Sequence, residues 1–485
     1  MMHQPYKTRA SWKVSRYLTR VDLPKADTLL LYGGLVSRLV EVPGPFRAEV
    51  DVLLTDPNST QVLGDSKLRT LLQEQGILIP EGFDELAFLK KSYERVRSIN
   101  SGTLGLTLCP TLDCNFRCTY CYQHHLSGIM SEDVQEKVVQ FVKEHNPPVT
   151  SLSVTWFGGE PLLALSVIEH LSKQFMNLQD GEIKYQASIV TNGWLLKSDV
   201  SRLLADLNVR RVQVTLDGAR ESHNSRRPLK GGHPTSDKIV DNIANADQRL
   251  RINVRVNIDQ NNVEGVPLLF EQLDAAGLLG RIGLYFAPVY PYTDVCADTA
   301  GSCIIGQTWA KLQGQLQFNA LEHGYGGFGP PESKPHYCMA DSNNGWVISP
   351  NGLMFKCWND VTQPQNAAFD LSTGTQTQRM KEVQERWTSW NPFNLPDCVN
   401  CKILPQCMGG CPYLGLQQKG PYTHGNCEEV KDNLQEVLAI YYLAFKRREA
   451  AKQLMERLHE WIPEVVPDPE SIEKGKVKEK IDFES

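Results

Sequence analysis

The 485-residue sequence has no apolar run approaching the roughly 20 residues that a membrane-spanning helix needs. Its first residues, Met1 to Lys7, also lack the apolar core of a secretory signal peptide. Neither sign of charge dominates, and a formal net charge of −6 gives no reason to expect nucleic-acid binding. These absences exclude membrane and nucleic-acid partners from the prediction and lead us to expect a cytoplasmic protein.

The cysteines lack the even number and the spread of a disulfide framework. There are thirteen, and ten of them fall into two clusters, which in a reducing compartment indicates metal or cofactor ligation. Cys109, Cys296 and Cys303 stand outside the clusters, and Cys109 is predicted to be a small core residue on a strand. An apolar content of 41% and a charged content of 22% are typical of a globular protein, and the length predicts two or three domains.

The tightest cluster, Cys114, Cys118 and Cys121, lacks a fourth cysteine. A cubane iron–sulfur cluster normally takes four protein thiolates, so three predict one iron left open to a small-molecule ligand. An open iron would be a catalytic position. A structural zinc site is the alternative, with His124 or His125 as the fourth ligand.

The spacing C-x3-C-x2-C, with Tyr120 directly before the last cysteine, resembles the signature of the radical SAM enzymes. The resemblance implies that Cys114, Cys118 and Cys121 hold a [4Fe–4S] cluster that binds S-adenosylmethionine (SAM). In that family one electron from the cluster cleaves SAM to a 5′-deoxyadenosyl radical, which abstracts hydrogen from the substrate. The same resemblance places Tyr120 near the adenine.

Short apolar strands alternate with helical patterns from Leu104 onward, as in the βαβ units of a parallel sheet. Strands are predicted near Leu104–Cys109, Leu152–Phe157, Tyr185–Thr191, Arg211–Leu216, Ile252–Ile258 and Ile282–Ala287. Helices are predicted near Glu132–Glu144, Ala164–Asn177, Lys197–Leu207, Ser236–Asp247 and Val263–Ala276. Six units are too few for a closed eight-stranded barrel. The resemblance implies an α/β fold with a partial (β/α)6 TIM-like barrel over residues 101–300.

Chemistry in parallel α/β folds lies at the carboxyl ends of the strands, and the cysteine triad falls in the first βα loop. Gly158-Gly159-Glu160 follows the second strand, where glycines permit close backbone approach. The resemblance implies that this motif binds the SAM amino group. Thr191 and Asn192 end the third strand, where they could meet the ribose hydroxyls or the carboxylate.

Arg255 and Asn257 lie two apart on the fifth predicted strand, so their side chains share a face. If that face is the barrel interior, Arg255 could pair with the SAM carboxylate. Purely structural polar contacts are the alternative. Asp217-Gly218, after the fourth strand, fits a simple turn.

The second cluster contains seven cysteines, whose order and spacing resemble the SPASM extension of peptide-modifying radical SAM enzymes. They are Cys338, Cys357, Cys398, Cys401, Cys407, Cys411 and Cys427. The resemblance implies a SPASM domain over residues 301–430 with two auxiliary [4Fe–4S] clusters. One would take Cys398, Cys401, Cys407 and Cys427, and the other Cys338, Cys357 and Cys411.

The second of these auxiliary clusters has only three evident thiolates. Glu332 stands where relatives with full ligation carry a further cysteine. Cys303 or Cys296 could loop back as the fourth ligand, and otherwise this cluster also has an open iron. A zinc ribbon remains the alternative for Cys398-x2-Cys401 and Cys407-x3-Cys411, because spacing alone does not separate zinc from iron.

Residues 20–100 form a separate region before the predicted barrel. Leu29–Val42 predicts a hairpin around Gly33-Gly34, followed by a strand-like Ala48–Leu54. Helices near Ser66–Gln75 and Asp84–Arg97 flank an apolar Ile77–Ile79. The pattern resembles the winged-helix-like leader-recognition elements of enzymes that modify ribosomally made peptides. A packing extension of the barrel is the alternative.

Residues 431–485 are predicted to form a C-terminal helix and a disordered tail. Glu428–Trp461 has the pattern of a long amphipathic helix that Pro463 would stop. Pro467–Ser485 is rich in Glu and Lys, which favours disorder.

The resemblance as a whole implies a radical SAM peptide maturase acting on a ribosomally made precursor peptide, with a flavodoxin or ferredoxin as electron donor. In sulfatase-maturing relatives an Asp directly follows the cysteine equivalent to Cys357, whereas here Trp358 follows it and Asp360 comes two residues later. This difference argues against formylglycine formation and leaves crosslinking, epimerisation or backbone excision. The rival hypotheses are an iron–sulfur electron-transfer protein and a zinc-stabilised peptide-binding protein without SAM chemistry.

Overall fold

The structure is a computed structural model that describes residues 11–59, 67–178, 183–326, 329–417, 427 and 429–461. Its strands are β1 Trp12–Val14, β2 Leu18–Leu23, β3 Thr28–Gly33, β4 Arg38–Pro43, β5 Leu78–Pro80, β6 Thr103–Leu108, β7 Thr111–Leu112, β8 Leu126–Ile129, β9 Ser151–Trp156, β10 Lys184–Thr191, β11 Val209–Thr215, β12 Arg251–Ile258, β13 Ile282–Pro288, β14 Gly345–Ile348, β15 Leu353–Phe355 and β16 Phe369–Asp370. Its α-helices are α1 Arg47–Thr55, α2 Lys67–Glu74, α3 Glu85–Arg97, α4 Glu132–Lys143, α5 Leu165–Asn177, α6 Ser198–Asp206, α7 Arg220–Arg226, α8 Ser236–Ala244, α9 Val266–Ala275, α10 Gly306–Glu322, α11 Gln378–Ser389, α12 Pro396–Val399, α13 Leu404–Cys407, α14 Pro412–Gln417 and α15 Val430–Trp461.

The largest sheet carries the functional end of the molecule. Its strand order is β13-β12-β11-β10-β9-β6-β14-β15-β16, and the six strands β6 and β9 to β13 are mutually parallel. Each begins and ends within two residues of a predicted strand. The prediction of an α/β fold built on a central parallel sheet is therefore confirmed.

Hydrophobic periodicity explains why these segments become strands and helices. Along β9, Leu152, Val154 and Trp156 are buried while the residues between them are half-buried, which is the period of a strand. Along α4, Val134 and Val138 are buried at a spacing of four, which places them on one helical face against the sheet. Helix α7 was not predicted, because Arg220–Arg226 has no apolar stripe.

The C-terminal cysteine region extends the sheet rather than standing apart from it. β14 pairs in parallel with β6, with Gly345 opposite Gly105 and Ile348 opposite Leu108. β15 and β16 then add antiparallel strands. Cys357 follows β15 closely, and β14 alone separates β15 from β6, the strand that leads to the first cysteine group.

The N-terminal region contains the predicted hairpin, since β3 and β4 pair with Tyr32 opposite Leu39, and β2 adds a third antiparallel strand. The prediction of a strand at Ala48–Leu54 was wrong. Helix α1 occupies that stretch, and Val50 and Leu53, three residues apart, are its buried residues. This helical spacing lets them pack on one face of the three-stranded sheet.

The other face of the N-terminal sheet packs on the C-terminal part of the chain. Leu434 and Leu438 of α15 meet Val21 and Leu30 there. The predicted helix start at Glu428, its stop at Pro463 and the tail Pro467–Ser485 lie outside the described residues. Within the described part of the chain, no helix is both long and apolar enough to span a membrane.

Three hydrogen bonds fasten the N-terminal region to the cysteine-rich segment near Cys407. The Gln406 side-chain amide donates to the Gly34 carbonyl at 2.5 Å, and Arg16 Nη2 donates to the Val399 carbonyl at 2.7 Å. The Gln406 side-chain amide also donates to the Tyr32 hydroxyl at 3.2 Å. The two regions therefore share an interface at the loops that carry cysteines.

A buried polar network joins α3 to the segment after Cys338, and its loss should be measurable. The Tyr93 hydroxyl donates to Asp341 Oδ1 at 2.8 Å and accepts from Arg97 Nη1 at 3.0 Å, while burial raises the pKa of Asp341 to about 7. We expect Tyr93→Phe to lower the free energy of unfolding by about 1–3 kcal/mol, because it leaves a buried carboxyl with one partner fewer.

Chemical denaturation followed by tryptophan fluorescence would measure the effect of Tyr93→Phe. Tyr441→Phe is the matched control, because Tyr441 is only half-buried on α15. Its effect should stay within about 0.5 kcal/mol. Equal losses for the two variants would show that the network does not stabilise this junction.

Candidate active site

The first cysteine group lies in the loop after β6, between the short paired strands β7 and β8. Cys114 is buried, and Cys118 and Cys121 are half-buried. The Phe116 amide donates to the Cys114 sulfur at 3.4 Å, a contact that favours a thiolate there. The loop thus holds the three sulfurs in a largely buried position at the carboxyl end of the sheet.

A segment that follows α7 clamps this cysteine loop by backbone hydrogen bonds. The Arg117 amide donates to the Pro228 carbonyl at 2.9 Å, and the Thr119 amide donates to the Arg226 carbonyl at 3.0 Å. The Lys230 amide donates to the Asn115 carbonyl at 2.7 Å. The sequence analysis gave this segment no role, because contacts between main-chain atoms leave no side-chain motif.

Burial makes the three thiols weak acids in the absence of a metal. It raises the pKa of Cys114 to about 12 and that of Cys118 to about 11, and it also raises the pKa of Cys121. The positive charge of Arg227 acts in the opposite direction on all three. A metal centre would deprotonate the thiols outright, so metal loading at this loop would release protons.

The Gly158-Gly159 turn packs directly on the backbone of the cysteine loop. A Cβ atom at Gly158, whose φ is +118°, would lie 2.2 Å from the Thr111 carbonyl oxygen. A Cβ atom at Gly159 would lie 2.2 Å from the Asp113 carbonyl oxygen. Only glycine fits at either position, which agrees with a close backbone approach at this motif.

Glu160, which is fully buried, joins the second and third strand ends. It accepts hydrogen bonds from Thr191 Oγ1 at 2.7 Å and from the Asn192 amide at 2.7 Å. The Asn192 side-chain amide in turn donates to Asn115 Oδ1 at 2.8 Å and lies 4.0 Å from the Cys114 sulfur. The structure therefore brings the predicted residues Glu160, Thr191 and Asn192 together beside the cysteine loop.

Tyr120 is the centre of a polar cluster at the carboxyl end of the parallel sheet. Its hydroxyl donates to Asp217, accepts from Arg227 Nη1 at 2.7 Å and accepts from Asn257 Nδ2 at 3.0 Å. Asp217 is fully buried and also accepts from the Asn257 amide at 3.0 Å. Asp217 is thus part of the site rather than a simple turn.

Arg227 and Asp217 are the residues of this cluster that sequence reasoning missed. The Arg227 guanidinium is 8% exposed and lies over the rings of Phe116 and Tyr120 at 5.8 and 6.0 Å. Burial opposes its charge, but Cys118, Tyr120 and Asp217 together raise its pKa. The sequence offered two signals, an aspartate directly after a predicted strand and the arginine pair Arg226-Arg227. Neither signal is specific alone.

Arg255 and Asn257 share a face of β12, as predicted, and Arg255 Nε donates to Asn257 Oδ1 at 2.7 Å. Arg255 lies over the Tyr285 ring at 5.7 Å. Burial raises the pKa of the Tyr122 and Tyr292 phenols, and the positive charge of Arg255 acts to lower both pKa values.

The downstream cysteines also converge in two groups. Cys398, Cys401, Cys407 and Cys427 line one small cavity, which Asp397 and Lys431 also border. Lys431 Nζ donates to the Cys427 sulfur at 3.4 Å. Four thiols around one space match the donor set of a fully ligated iron–sulfur cluster.

Cys338, Cys357 and Cys411 form the other group. Burial raises the pKa of Cys338 to about 12, and Cys411 also raises it. Burial likewise raises the pKa of half-buried Cys357, as do Cys338 and Cys411. Cys303 instead donates to the Thr299 carbonyl at 3.2 Å, and Cys296 donates to the Thr293 carbonyl at 3.3 Å. A fourth ligand from these two cysteines stays a prediction.

A single metal ion needs several donor side chains close together. Among the described residues, no three His, Cys, Asp or Glu side chains lie close enough to hold one metal ion. A four-iron cluster takes its thiolates from the corners of a cube, so its ligands stand further apart than those of one ion. The sulfur donors, the limited exposure of most of these cysteines and their convergence in groups all fit iron–sulfur clusters.

The residues after Cys357 differ from a catalytic-base arrangement. Trp358 is 42% exposed and stacks on Phe157 at 4.9 Å, with an interplanar angle of 20°. Asp360 is buried and accepts from Asn366 at 2.8 Å, and burial raises its pKa to about 6. The Trp358 ring therefore lies beside the strand end that carries Gly158.

Comparison with known proteins agrees with this geometry. Residues 108–267, which contain the triad and the first five parallel strand ends, match the model of the Radical SAM superfamily. The radical SAM cyclopropyl synthase TigE of Paramaledivibacter caminithermalis is 21% identical over 406 residues, covering 76% of this chain and 81% of that protein. The cysteine-type anaerobic sulfatase-maturating enzyme of Clostridium perfringens is 33% identical over 135 residues, or 26% of this chain and 36% of that enzyme.

Among solved structures, native anSMEcpe with bound AdoMet and Kp18Cys peptide superposes with a TM-score of 0.55 at 19% identity. The match covers 71% of this chain and 99% of that chain, and it shows a shared fold. Residues 108–267 thus carry a radical SAM domain, and members of that superfamily bind a [4Fe–4S] cluster and SAM.

Proposed function

We propose that the protein is a radical SAM peptide maturase that modifies a ribosomally made precursor peptide. The observation that carries the proposal is the cysteine triad facing the Gly158-Gly159 turn and the Tyr120 cluster at one end of the parallel sheet. The solved relative whose fold matches was determined with a peptide bound, which supports a peptide substrate. A flavodoxin or ferredoxin would supply the electrons.

The chain divides by these features into four proposed regions. Residues 20–100 would recognise the peptide through a winged-helix-like element, and residues 101–300 would form the partial barrel. Residues 301–430 would form the SPASM domain with two auxiliary clusters, and residues 431–485 the C-terminal helix and tail. The two converging cysteine groups around Cys398 and Cys357 support the assignment of the third region.

The residues around the first cluster would have different roles. When bound, that cluster supplies the electron that cleaves SAM to the radical that removes hydrogen from the peptide. Cys114, Cys118 and Cys121 would hold it, and the glycine turn would offer main-chain oxygens to the SAM amino group. Tyr120, fixed by Asp217 and Arg227, would face the adenine, and Thr191, Asn192 and Asn257 would complete the nucleoside contacts.

Arg227 is the better placed partner for the SAM carboxylate, although the sequence favoured Arg255. The amino acid part of SAM must reach the open iron, so its cation should lie beside the triad. Arg227 lies over the rings of Phe116 and Tyr120 within the cysteine loop, whereas Arg255 lies over the Tyr285 ring on β13. The guanidinium of Arg227 can also form the two-pronged bond that a carboxylate accepts.

We expect Arg227→Lys to weaken SAM binding about tenfold or more, because lysine keeps the charge but loses the bidentate geometry worth about 1.5–3 kcal/mol. Arg255→Lys should change SAM affinity by less than about threefold. Equilibrium dialysis of SAM with the anaerobically reconstituted protein would measure both, with iron content checking the fold. A larger loss of SAM affinity for Arg255→Lys than for Arg227→Lys would assign the SAM carboxylate to Arg255.

The bond formed on the peptide is constrained by the residue after Cys357. Trp358 stands where the sulfatase-maturing pattern has an Asp base, which disfavours formylglycine formation. Crosslinking, epimerisation and backbone excision remain. The similarity to a cyclopropyl synthase favours carbon–carbon bond formation among them.

Anaerobic purification tests the proposal against its rivals. About twelve irons per chain, from three cubane clusters, together with 5′-deoxyadenosine formed from SAM, would support it. Peptides encoded by short reading frames beside the gene should then change mass in the presence of enzyme, SAM and reductant. Iron without SAM cleavage would indicate an electron carrier, and zinc alone a zinc-stabilised peptide-binding protein.

A further inference from the structure

A tyrosine-lined region lies between the triad and the Cys357 group. Tyr122 directly follows Cys121 and packs against the apolar cluster that contains Phe157 and Phe355. Tyr292 packs against the same apolar cluster as Cys338, Cys357 and Cys411. The two rings meet edge to face with centroids 5.9 Å apart. This region therefore bridges the two proposed cluster sites.

Backbone contacts fix these rings in place. Thr293 Oγ1 donates to the Tyr122 carbonyl at 2.7 Å, and the Tyr413 hydroxyl donates to the Tyr292 carbonyl at 3.1 Å. The Tyr292 and Tyr413 rings are 6.4 Å apart. The tyrosine rings are thus preorganised, which lowers the entropy cost of binding a group between them.

Arg255 supplies the positive charge of this region. Burial acts to lower the pKa of Arg255, and the phenols of Tyr285, Tyr292 and Tyr120 raise it. The Tyr285 ring lies 5.7 Å from the guanidinium and is itself oriented by its hydroxyl, which donates to Gln213 Oε1 at 2.5 Å. The guanidinium is therefore surrounded by aromatic groups rather than by anions.

The charge of Arg255 has no carboxylate partner in the part of the chain that the structure describes. Its side-chain contacts there are the Asn257 amide oxygen and the tyrosines. Buried Arg226, by contrast, forms an ion pair with Asp259 at 2.8 Å. Arg255 is half-buried, and a cation at the active end of a sheet that has no anionic contact among the described residues indicates an anionic ligand.

We propose that Arg255, with Tyr122, Tyr285 and Tyr292, forms a subsite for a carboxylate of the peptide substrate. This inference rests on the proposed peptide-maturase function and adds the chemistry of the residue that the peptide presents. The carboxylate comes from an Asp or Glu side chain or from the peptide C-terminus. Bound there, it positions the neighbouring residue between the two cysteine groups, where hydrogen abstraction and electron removal both take place.

The test uses the reconstituted protein with SAM and a set of short probe peptides. The probes are Ac-Ala-Ala-Xaa-Ala-Ala-NH2 with Glu, Asp, Gln or Asn as Xaa, and the all-alanine peptide with a free carboxyl terminus. Anaerobic titration calorimetry should show the Glu or Asp probe binding at least about tenfold more tightly than its amide counterpart, since charge-assisted bonds contribute about 1.5–3 kcal/mol. Preference for the free-terminus peptide alone would assign the subsite to a C-terminal carboxylate.

Two variants make the result specific to Arg255. Arg255→Met should abolish the difference between Glu and Gln probes, and Arg255→Lys should keep part of it. Arg251→Met, on the same strand but exposed, should leave the difference unchanged. SAM affinity, measured in parallel, should stay within about threefold for all three variants.

Several outcomes would overturn the subsite. These are equal binding of charged and neutral probes, no binding by either, and the same discrimination in Arg255→Met as in the wild type. Loss of SAM affinity in Arg255→Met without loss of probe discrimination would assign the arginine to SAM instead. Failure of the proposed function can be distinguished from failure of the subsite. If the proposed function is wrong, the wild-type protein will form no 5′-deoxyadenosine with any peptide.

Discussion

Cys118→Ala is expected to reduce 5′-deoxyadenosine formation to background and to lower the iron content from about twelve to about eight per chain. Cys118 is one of three sulfurs in the loop after β6, and the structure has no other cysteine in that loop to replace it. The downstream cysteine groups should keep their iron, because they lie in a separate part of the chain. Iron analysis and chromatography of the nucleoside product measure both results.

Cys109→Ala is the matched control for this variant. Cys109 is completely buried at the end of β6, five residues before the triad, and packs in an apolar cluster with Phe157 and Val347. Its replacement should leave iron content and SAM cleavage near wild-type values. Full SAM cleavage by Cys118→Ala would refute the mechanism, and loss of iron in Cys109→Ala would show that the cysteine count alone does not identify ligands.

Gly159→Ala is expected to lower the rate of SAM cleavage by about 100-fold or more. The added methyl carbon would lie 2.2 Å from the Asp113 carbonyl oxygen, and this neighbour is backbone that has no flexible side chain to move aside. The cysteine loop, the turn or both must shift, and a misplacement of about 1 Å in a reacting site can cost about 100-fold. Single-turnover measurement of 5′-deoxyadenosine at saturating SAM isolates this effect from binding.

Gly265→Ala provides the comparison for the glycine turn. A Cβ atom there would meet nothing within 4 Å, although the residue belongs to the same α/β region. SAM cleavage should be unchanged, with stability altered by less than about 1 kcal/mol. Wild-type activity in Gly159→Ala would mean that the turn relaxes freely and that its glycines do not set the geometry.

The sequence was sufficient for the parallel strands because each has an unbroken local pattern. β12, for example, buries alternate residues from Ile252 to Ile258, so its period is visible without any knowledge of its neighbours. Ala48–Leu54 shows the limit of this reasoning. Its apolar residues fit a short strand and a helix equally. Helix α1 forms there because Val50 and Leu53 can then pack together on the adjacent sheet.

The candidate site was predictable where chemistry depends on residue type and spacing. The triad and the downstream cysteines carry such a pattern, and their roles as cluster ligands stay a prediction. Arg227 and Asp217 do not, because their importance comes from burial and from meeting Tyr120, which is 107 and 97 residues distant in sequence. Long-range polar contacts of this kind follow from the fold and are not encoded in any local motif.

The pairing of β6 with β14 has a consequence for how the protein is made. The edge of β6 that β14 covers stays open until roughly 240 more residues have been synthesised. At about 5–20 residues per second, the nascent chain presents that unpaired edge for on the order of 10 to 50 s. The strand that leads into the cysteine triad is thus among the last to gain both neighbours during translation. Slow ribosomes and scarce chaperones should therefore reduce the yield of folded protein before any iron is inserted.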